Sequence, residues 1–437
     1  MIKNLLISPF QKFVRIESLS GIMLFGATII AMILANSSFA QEYESIWQYE
    51  IGIRTDHFEL SKPLLLWIND GLMAIFFFLI GLEIKREVMI GDLNDLKKAS
   101  FPIFAALGGM IVPISIYVFL NSDPATSHGW GIPAATDIAF SLAILQLLGK
   151  RVPISLKVFL AAFAIVDDIG AVILIAVFYS TGIKWLLLII AIAIVALLIF
   201  LSKRNIYSKY LFFAGGVIVW LLFLKAGFHP TVAGVLLAFT IPLRQKVDVA
   251  TYADNLCDIV ADFKDACKSC PGPVLTREQV DYIDDLEDWT NKVQSPLQHL
   301  EHNLHNWVAY FVIPIFAFAN AGVTFKTGGD LNYTLIFIIM ISLFAGKSIG
   351  VTLITWLATK LKLTAMPGRM KLSQLVGVSF LAGVGFTMSI FISNLAFVDH
   401  PEVMNSAKIG IISGSLLSGI TGFLILRLTS KKEDTSG

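Results

Sequence analysis

Two adjacent acids, Asp167 and Asp168, sit inside an otherwise apolar run from Val158 to Tyr179. A charged side chain in hydrocarbon costs at least a few kcal/mol, so such residues are rare and usually functional. Two carboxylates a few ångströms apart in a low dielectric do not both ionise easily, so at least one holds a proton unless a cation takes its place. Hard cations favour oxygen ligands, and protons and a small cation then compete for one site. Neighbouring side chains diverge by about 100° around a helix, so one acid can face the ion while the other faces a partner. Lys347 is the natural partner. It is the only charge in the stretch Thr334 to Leu357, and Gly346 and Gly350 beside it admit a second helix closely. The alternative is that these three residues are structural ion pairs that lock a bundle.

Asp137 is the third acid in an apolar setting, in Ala134-Ala-Thr-Asp-Ile-Ala-Phe140 behind Pro133. It belongs with Leu381-Ala-Gly-Val-Gly-Phe-Thr-Met-Ser-Ile390, where Gly383 and Gly385 precede Thr387 and Ser389. Glycines with hydroxyl residues suit a membrane helix broken into two halves. Such halves bring partial positive and negative ends to mid-membrane. Asp137, with Thr136 beside it, is placed to compensate the positive ends and Lys347 the negative ones. Gly383 and Gly385 can equally be small packing residues. Glu83, Arg86 and Glu87, with Lys85 between, close one apolar block; Glu301, His302 and His305 open another. These are either ordinary charged helix ends or a carboxylate–imidazole cluster able to respond near neutral pH. His229 reads as a hydrogen-bonded helix-end residue. Cys257, Cys267 and Cys270, with the histidines downstream, lack the second Cys-x-x-Cys of a zinc site, so no structural metal is expected.

The elements that must position these groups are membrane helices. The 437 residues are 56% apolar and 15% charged, with a mean hydropathy of +0.75. The apolar residues come in long blocks rather than in amphipathic stripes. About twelve blocks appear: Leu19–Asn36, Leu64–Gly81, Phe101–Asn121, Ile132–Leu148, Val158–Tyr179, Trp185–Leu201, Tyr210–Lys225, His229–Pro242, Trp307–Gly322, Leu331–Leu357, Leu372–Phe397 and Ala407–Leu428. With these spans, 26 of the 33 Lys and Arg residues fall on one side, which places both termini in the cytoplasm by the positive-inside rule. The first block runs at full spanning length and is read as a retained helix rather than a signal peptide. Ile51 to Leu60 partly alternates and reads as an external β-hairpin. The acidic stretch 245–305 is the one long cytoplasmic loop, with Tyr282 to Thr290 as an amphipathic helix leading into the ninth span. The net charge of +1 points to no partner, and no cationic cluster is dense enough for nucleic acid.

At these residues the chain resembles the NhaA-type sodium/proton antiporters. The matching stretches are Trp67-Ile-Asn-Asp70, Gly81 to Glu87, Gly131 to Phe140, Leu160 to Ala171, His302 to Val323, Ala345-Gly-Lys347 and Gly383 to Ile390, in order along nearly the whole chain. The resemblance implies an all-α polytopic membrane protein, one domain over 1–437, with two inverted three-helix repeats at about 101–179 and 331–428. The fourth and eleventh spans would be discontinuous and cross at the midplane. It implies Asp168 and Asp167 as ion and proton carriers, with Lys347 bridging Asp167 in the empty state. Asp137, with Thr136, Gly383 and Gly385, would balance the half-helix dipoles. Glu83, Arg86, Glu87, Glu301 and His302 would form the pH-sensing cluster at a cytoplasmic funnel. The hairpin at about 45–61 would join a homodimer. The implied activity is electrogenic, pH-regulated export of Na+ or Li+ in exchange for H+ across the bacterial inner membrane. It needs no cofactor and no enzymatic step, and it would serve sodium extrusion and pH homeostasis. The cysteine-bearing loop is longer than the family usually carries. Other classes fit less well. An intramembrane aspartyl protease would show Gly-x-Gly-Asp at one acid, a solute symporter would usually lack the lysine and one aspartate, and a channel would show repeated pore loops.

Overall fold

The computed structural model describes residues 9–54, 59–180, 182–204, 206–245, 247–269, 274–324, 331–368, 370–398 and 400–430. The hairpin tip at 55–58, Cys270, and the cationic Lys3, Lys246, Lys326, Arg369, Lys431 and Lys432 lie outside them. Among the described residues, the fold is helical apart from one two-stranded sheet. Helix α1 (Pro9–Ala35) is followed by a short α2 (Ala40–Gln48), bent from it by 113°. Strands β1 (Glu50–Arg54) and β2 (Glu59–Pro63) then pair antiparallel, with Ile51 opposite Lys62 and Ile53 opposite Leu60. The expected hairpin is therefore present, and Trp67 Nε1 anchors it by donating to the Ile51 carbonyl at 2.8 Å.

Helix α3 (Leu64–Met89) leads away from the hairpin and contains a π-turn at Ile68–Leu72. Helix α4 (Leu96–Leu120) starts where Asp95 accepts the Lys97 amide at 2.9 Å, a cap that satisfies one of the first-turn N–H groups. An eleven-residue 3-10 segment (Pro124–Ala134) precedes α5 (Ile138–Leu147), bent from it by 49°. Helices α6 (Ile154–Phe178), α7 (Trp185–Lys203), α8 (Lys209–Ala226) and α9 (Pro230–Thr240) follow. Gly227 ends α8 at φ 76°, a left-handed conformation that favours glycine, and Pro230 opens α9 where its missing N–H costs nothing.

The acidic loop is an αα-hairpin, and the amphipathic helix expected at Tyr282–Thr290 lies within its second helix. Helix α10 (Val249–Ser269) packs on α11 (Arg277–Val293), which starts with a reciprocal Thr276–Gln279 capping box. Tyr252 and Thr290 tie the two through their hydroxyls at 3.1 Å. Next, α12 (Pro296–Trp307) continues through a π-turn at Val308–Val312 into α13 (Ile313–Asn320). Helix α14 (Tyr333–Lys360) carries a third π-turn at Ser342–Gly346. The bent pair α15 (Leu372–Ala382) and α16 (Phe386–Ala396) meet at 43°, and α17 (Pro401–Thr429) ends the described chain.

Among the described residues, seven helices are long and apolar enough to cross a membrane, or up to ten if each bent pair is one span. The reading of about twelve spans also includes the eleven-residue α9 and the π-turn with α13 that follows Trp307. Large apolar side chains such as Leu186, Ile189 and Phe213 stay exposed on α7 and α8, as helices facing lipid require. Small residues set the closest helix contacts. A Cβ on Gly108 of α4 would strike the Gly350 carbonyl of α14, and one on Gly350 would strike the Gly108 carbonyl. Gly346 lies against Pro113 in the same way, so the approach expected at Gly346 and Gly350 is made. Aromatic rings fill the centre, where Phe391 of α16 touches Phe77 and Phe316.

The two ends of the αα-hairpin meet: the Leu297 amide donates to the Pro242 carbonyl at 3.2 Å. Replacing residues 246–295 by a short Gly/Ser linker is therefore expected to leave the membrane body folded, with an unchanged unfolding temperature in detergent. A large drop would mean that the hairpin supports the bundle.

Candidate functional site

Helix α6 buries both acids. Asp167 is 1% exposed and Asp168 4%. Lys347, fully buried on α14 just after its π-turn, places Nζ 2.8 Å from Asp167 Oδ2. The same ammonium donates to Thr136 Oγ1 at 2.5 Å and lies 5.8 Å from the centre of the Phe163 ring. The other oxygen of Asp167, Oδ1, is buried with no hydrogen-bond partner. Asp168 interacts electrostatically with Asp167, Glu83, Lys347 and Asp137, three acids and one base. Among the described residues, no three of His, Cys, Asp and Glu are grouped as metal ligands. A cation held at Asp167 and Asp168 would thus complete its shell from neutral oxygens, as hard cations accept. An orphaned carboxylate oxygen beside a second buried acid suits such an ion.

The two broken helices cross next to this pair. Asp137 caps α5 by accepting the Phe140 amide on Oδ1 at 3.0 Å. Its Oδ2 accepts the Thr387 amide at 3.1 Å and the Thr387 hydroxyl at 2.6 Å, in the first turn of α16. One carboxylate therefore serves two helix starts, where partial positive charge gathers. The C-terminal carbonyls of α15 are satisfied from the other strand of the crossing: Thr136 Oγ1 donates to Ala382 O at 3.0 Å and Ser141 Oγ to Leu381 O at 2.8 Å. Ser389 Oγ donates to Ile132 O at 2.8 Å, and the Asp137 amide donates to Val384 O at 2.7 Å. Lys347 reaches the carbonyl end only through Thr136.

Gly383 and Gly385 have φ of −73° and −104°, open to any residue. Space is what requires glycine there. A Cβ would meet the Leu343 carbonyl at 2.6 Å from Gly383, and the Ala135 carbonyl at 2.9 Å from Gly385. The packing reading and the broken-helix reading of these glycines are thus both realised.

At the end of α3 away from the hairpin, Arg86 bridges Glu301 (Nε to Oε1, 2.9 Å) and Glu87 (2.9 Å). Glu83, buried on the same helix, lies 3.6 Å from His305 Nδ1. Burial pushes the Glu301 carboxyl up to about 7, against the opposing pull of the Arg86 charge. The structure gathers Glu83, Arg86, Glu87 and Glu301 together with His305, which the sequence had grouped with Glu301 and His302. His302 is exposed on the same helix. His305 lies four residues after Glu301 and so shares its helical face, whereas His302 is turned about 100° away. Reasoning from sequence missed the hydroxyls of Ser141 and Ser415, the latter accepting the Gly385 amide at 3.2 Å.

Because Asp137 satisfies two helix starts, Asp137→Ala is expected to lower stability by roughly 2 kcal/mol, the sum of two lost caps. Asp137→Asn, which still accepts on one oxygen, should retain about half. Unfolding by SDS in mixed micelles, followed by circular dichroism, measures this. An unchanged midpoint for Asp137→Ala would refute the double cap.

Comparison with known proteins identifies the family. The profile of the family described as "Na+/H+ antiporter 1" matches residues 11–426. The Na(+)/H(+) antiporter NhaA 1 of Saccharophagus degradans is 42% identical over 426 residues, covering 97% of this chain and 92% of that protein. The Na(+)/H(+) antiporter NhaA of Bacteroides thetaiotaomicron is 43% identical over 431 residues, 97% of this chain and 98% of the relative. That of Helicobacter pylori strain P12 is 44% identical over 432 residues, 98% of both chains. With buried acids, a buried lysine and two crossing broken helices in the expected places, the chain belongs to the NhaA-type Na+/H+ antiporter family.

Proposed function

We propose that this protein is a secondary antiporter that exports Na+ or Li+ in exchange for H+, with Asp167 and Asp168 as the exchanging groups. The observation that carries the reading is the fully buried Lys347–Asp167 pair beside Asp168. Lys347 holds Asp167 as an ion pair when no cation is bound. A cation arriving at Asp168 also attracts Asp167 and repels the ammonium, so ion binding and release of the lysine contact are one event. Proton return to the acids reverses it. If more than one proton moves per cation, exchange is electrogenic and runs on the membrane potential. The reading involves no cofactor and no enzymatic step.

In this reading about twelve helices span the bacterial inner membrane with both termini cytoplasmic. The repeats at about 101–179 and 331–428 form one inverted pair and move against the remaining helices, as in transporters built from inverted repeats. The hairpin at about 45–61 lies outside and joins two copies. Glu83, Arg86, Glu87, Glu301, His302 and His305 form the cytoplasmic pH-responsive group.

Two experiments test this. In everted vesicles, Asp168→Asn is expected to reduce sodium-induced proton release to the level of vesicles without the protein; undiminished release would end the assignment. The second concerns Glu301, which releases its proton as pH rises through about 7, so its charged bridge to Arg86 forms above that value. Glu301→Gln keeps the uncharged form at every pH. Its exchange about one pH unit above 7 should fall toward the rate seen about one unit below. An unchanged pH profile would remove Glu301 from regulation.

A further inference from the structure

Three buried or half-buried carboxamides form a chain at the hairpin end of the bundle. Asn320 Nδ2 donates to Asn69 Oδ1 at 2.9 Å and to the Phe316 carbonyl at 3.0 Å. Asn394 Nδ2 donates to Asn320 Oδ1 at 2.7 Å. Asn320 is 1% exposed and spends both donor hydrogens and its oxygen on these contacts. Asn69 is held in the π-turn of α3, a distortion that often marks a functional position. The chain crosses the boundary between the two groups of helices that the transport reading sets in motion. Asn69 and Asn320 lie outside the repeats at 101–179 and 331–428, and Asn394 lies inside. A second bond crosses the same boundary at the same end, from Asn405 Nδ2 to the Thr324 carbonyl at 2.8 Å.

Asn394 also rides on the helix that serves the site. It lies two turns beyond Thr387, whose amide and hydroxyl both bind Asp137, and α16 is continuous between them. A shift of the crossing therefore moves Asn394 relative to Asn320. We propose that the Asn69–Asn320–Asn394 chain is the outer latch of the transport cycle, closed when the site does not face outward and broken when it does. The inference rests on the exchange reading above and adds the residues that hold the outer side shut. One net hydrogen bond shifts an equilibrium by a factor of roughly two to ten. That is enough to bias closure and small enough to be broken in each cycle.

The test uses the full chain in liposomes, with Cys257, Cys267 and Cys270 replaced by serine. Asn320→Cys and Asn394→Cys are combined and bridged with a short bifunctional thiosulfonate. Before bridging, the pair must exchange sodium for protons; failure at that step across all variants, including the parent, would count against the exchange reading rather than the latch. After bridging, exchange is expected to fall at least tenfold and to return on reduction, while the reagent leaves the rate of each single-cysteine variant unchanged. Complete bridging, verified by mass spectrometry, with exchange intact would overturn the proposal. Asn394→Leu supplies a second readout. Losing the bond should tighten apparent sodium affinity from outside by roughly fivefold relative to affinity from inside, and equal effects on both sides would refute a latch.

Discussion

The arrangement depends on a single carboxylate shared between two helix starts. Broken helices in a membrane leave N–H and C=O groups that neither lipid nor an ordinary helix can satisfy, and each unmet group costs several kcal/mol. Here the positive ends of α5 and α16 converge on Asp137, and the carbonyl end of α15 is met by Thr136 and Ser141. The halves satisfy each other's end groups. The crossing is therefore a cooperative unit, and it offers a polar surface in the middle of an apolar bundle without exposing unpaired backbone.

On that surface the charges are unequally shared. Lys347 contacts Asp167 directly, while Asp168 has no ammonium at hydrogen-bond distance among the described residues. A fully buried pair of opposite charges is weak evidence for stability, because desolvation offsets much of the attraction. It is well suited to being exchanged, since the same energy that makes the pair marginal lets another cation compete. Thr136 links this pair to the carbonyl end of α15, so the charge on Lys347 is coupled to the crossing through one hydroxyl.

Most of the site was legible because burial cost makes intramembrane charge conspicuous. Asp137, Asp167, Asp168 and Lys347 stand out against their apolar neighbours in the bare order of residues, and all four meet at the crossing. The breaks in the fourth and eleventh blocks were likewise readable from Pro133 and from Gly383 and Gly385. What the sequence hid was polar but uncharged. Asn69, Asn320 and Asn394 sit on three different segments and carry no charge to draw attention, and their meaning depends on contacts more than seventy residues apart. The αα-hairpin was hidden for another reason. Its second helix was read in part, since the amphipathic stretch Tyr282–Thr290 lies within α11, but the mostly polar α10 reads as loop, and the capping box at Thr276 and Gln279 is a small signal.

The paired contact of Gly108 with Gly350, and of Gly346 with Pro113, leaves no slack between α4 and α14. The backbone that carries Lys347 is thereby seated flush against its neighbour on both sides of the residue. Sliding one helix along the other would drive carbonyls into α-carbons. In the exchange proposed above, the lysine would therefore leave its aspartate by swinging its four-carbon stem rather than by a shift of its helix, and the reach of that stem would set how far it can withdraw.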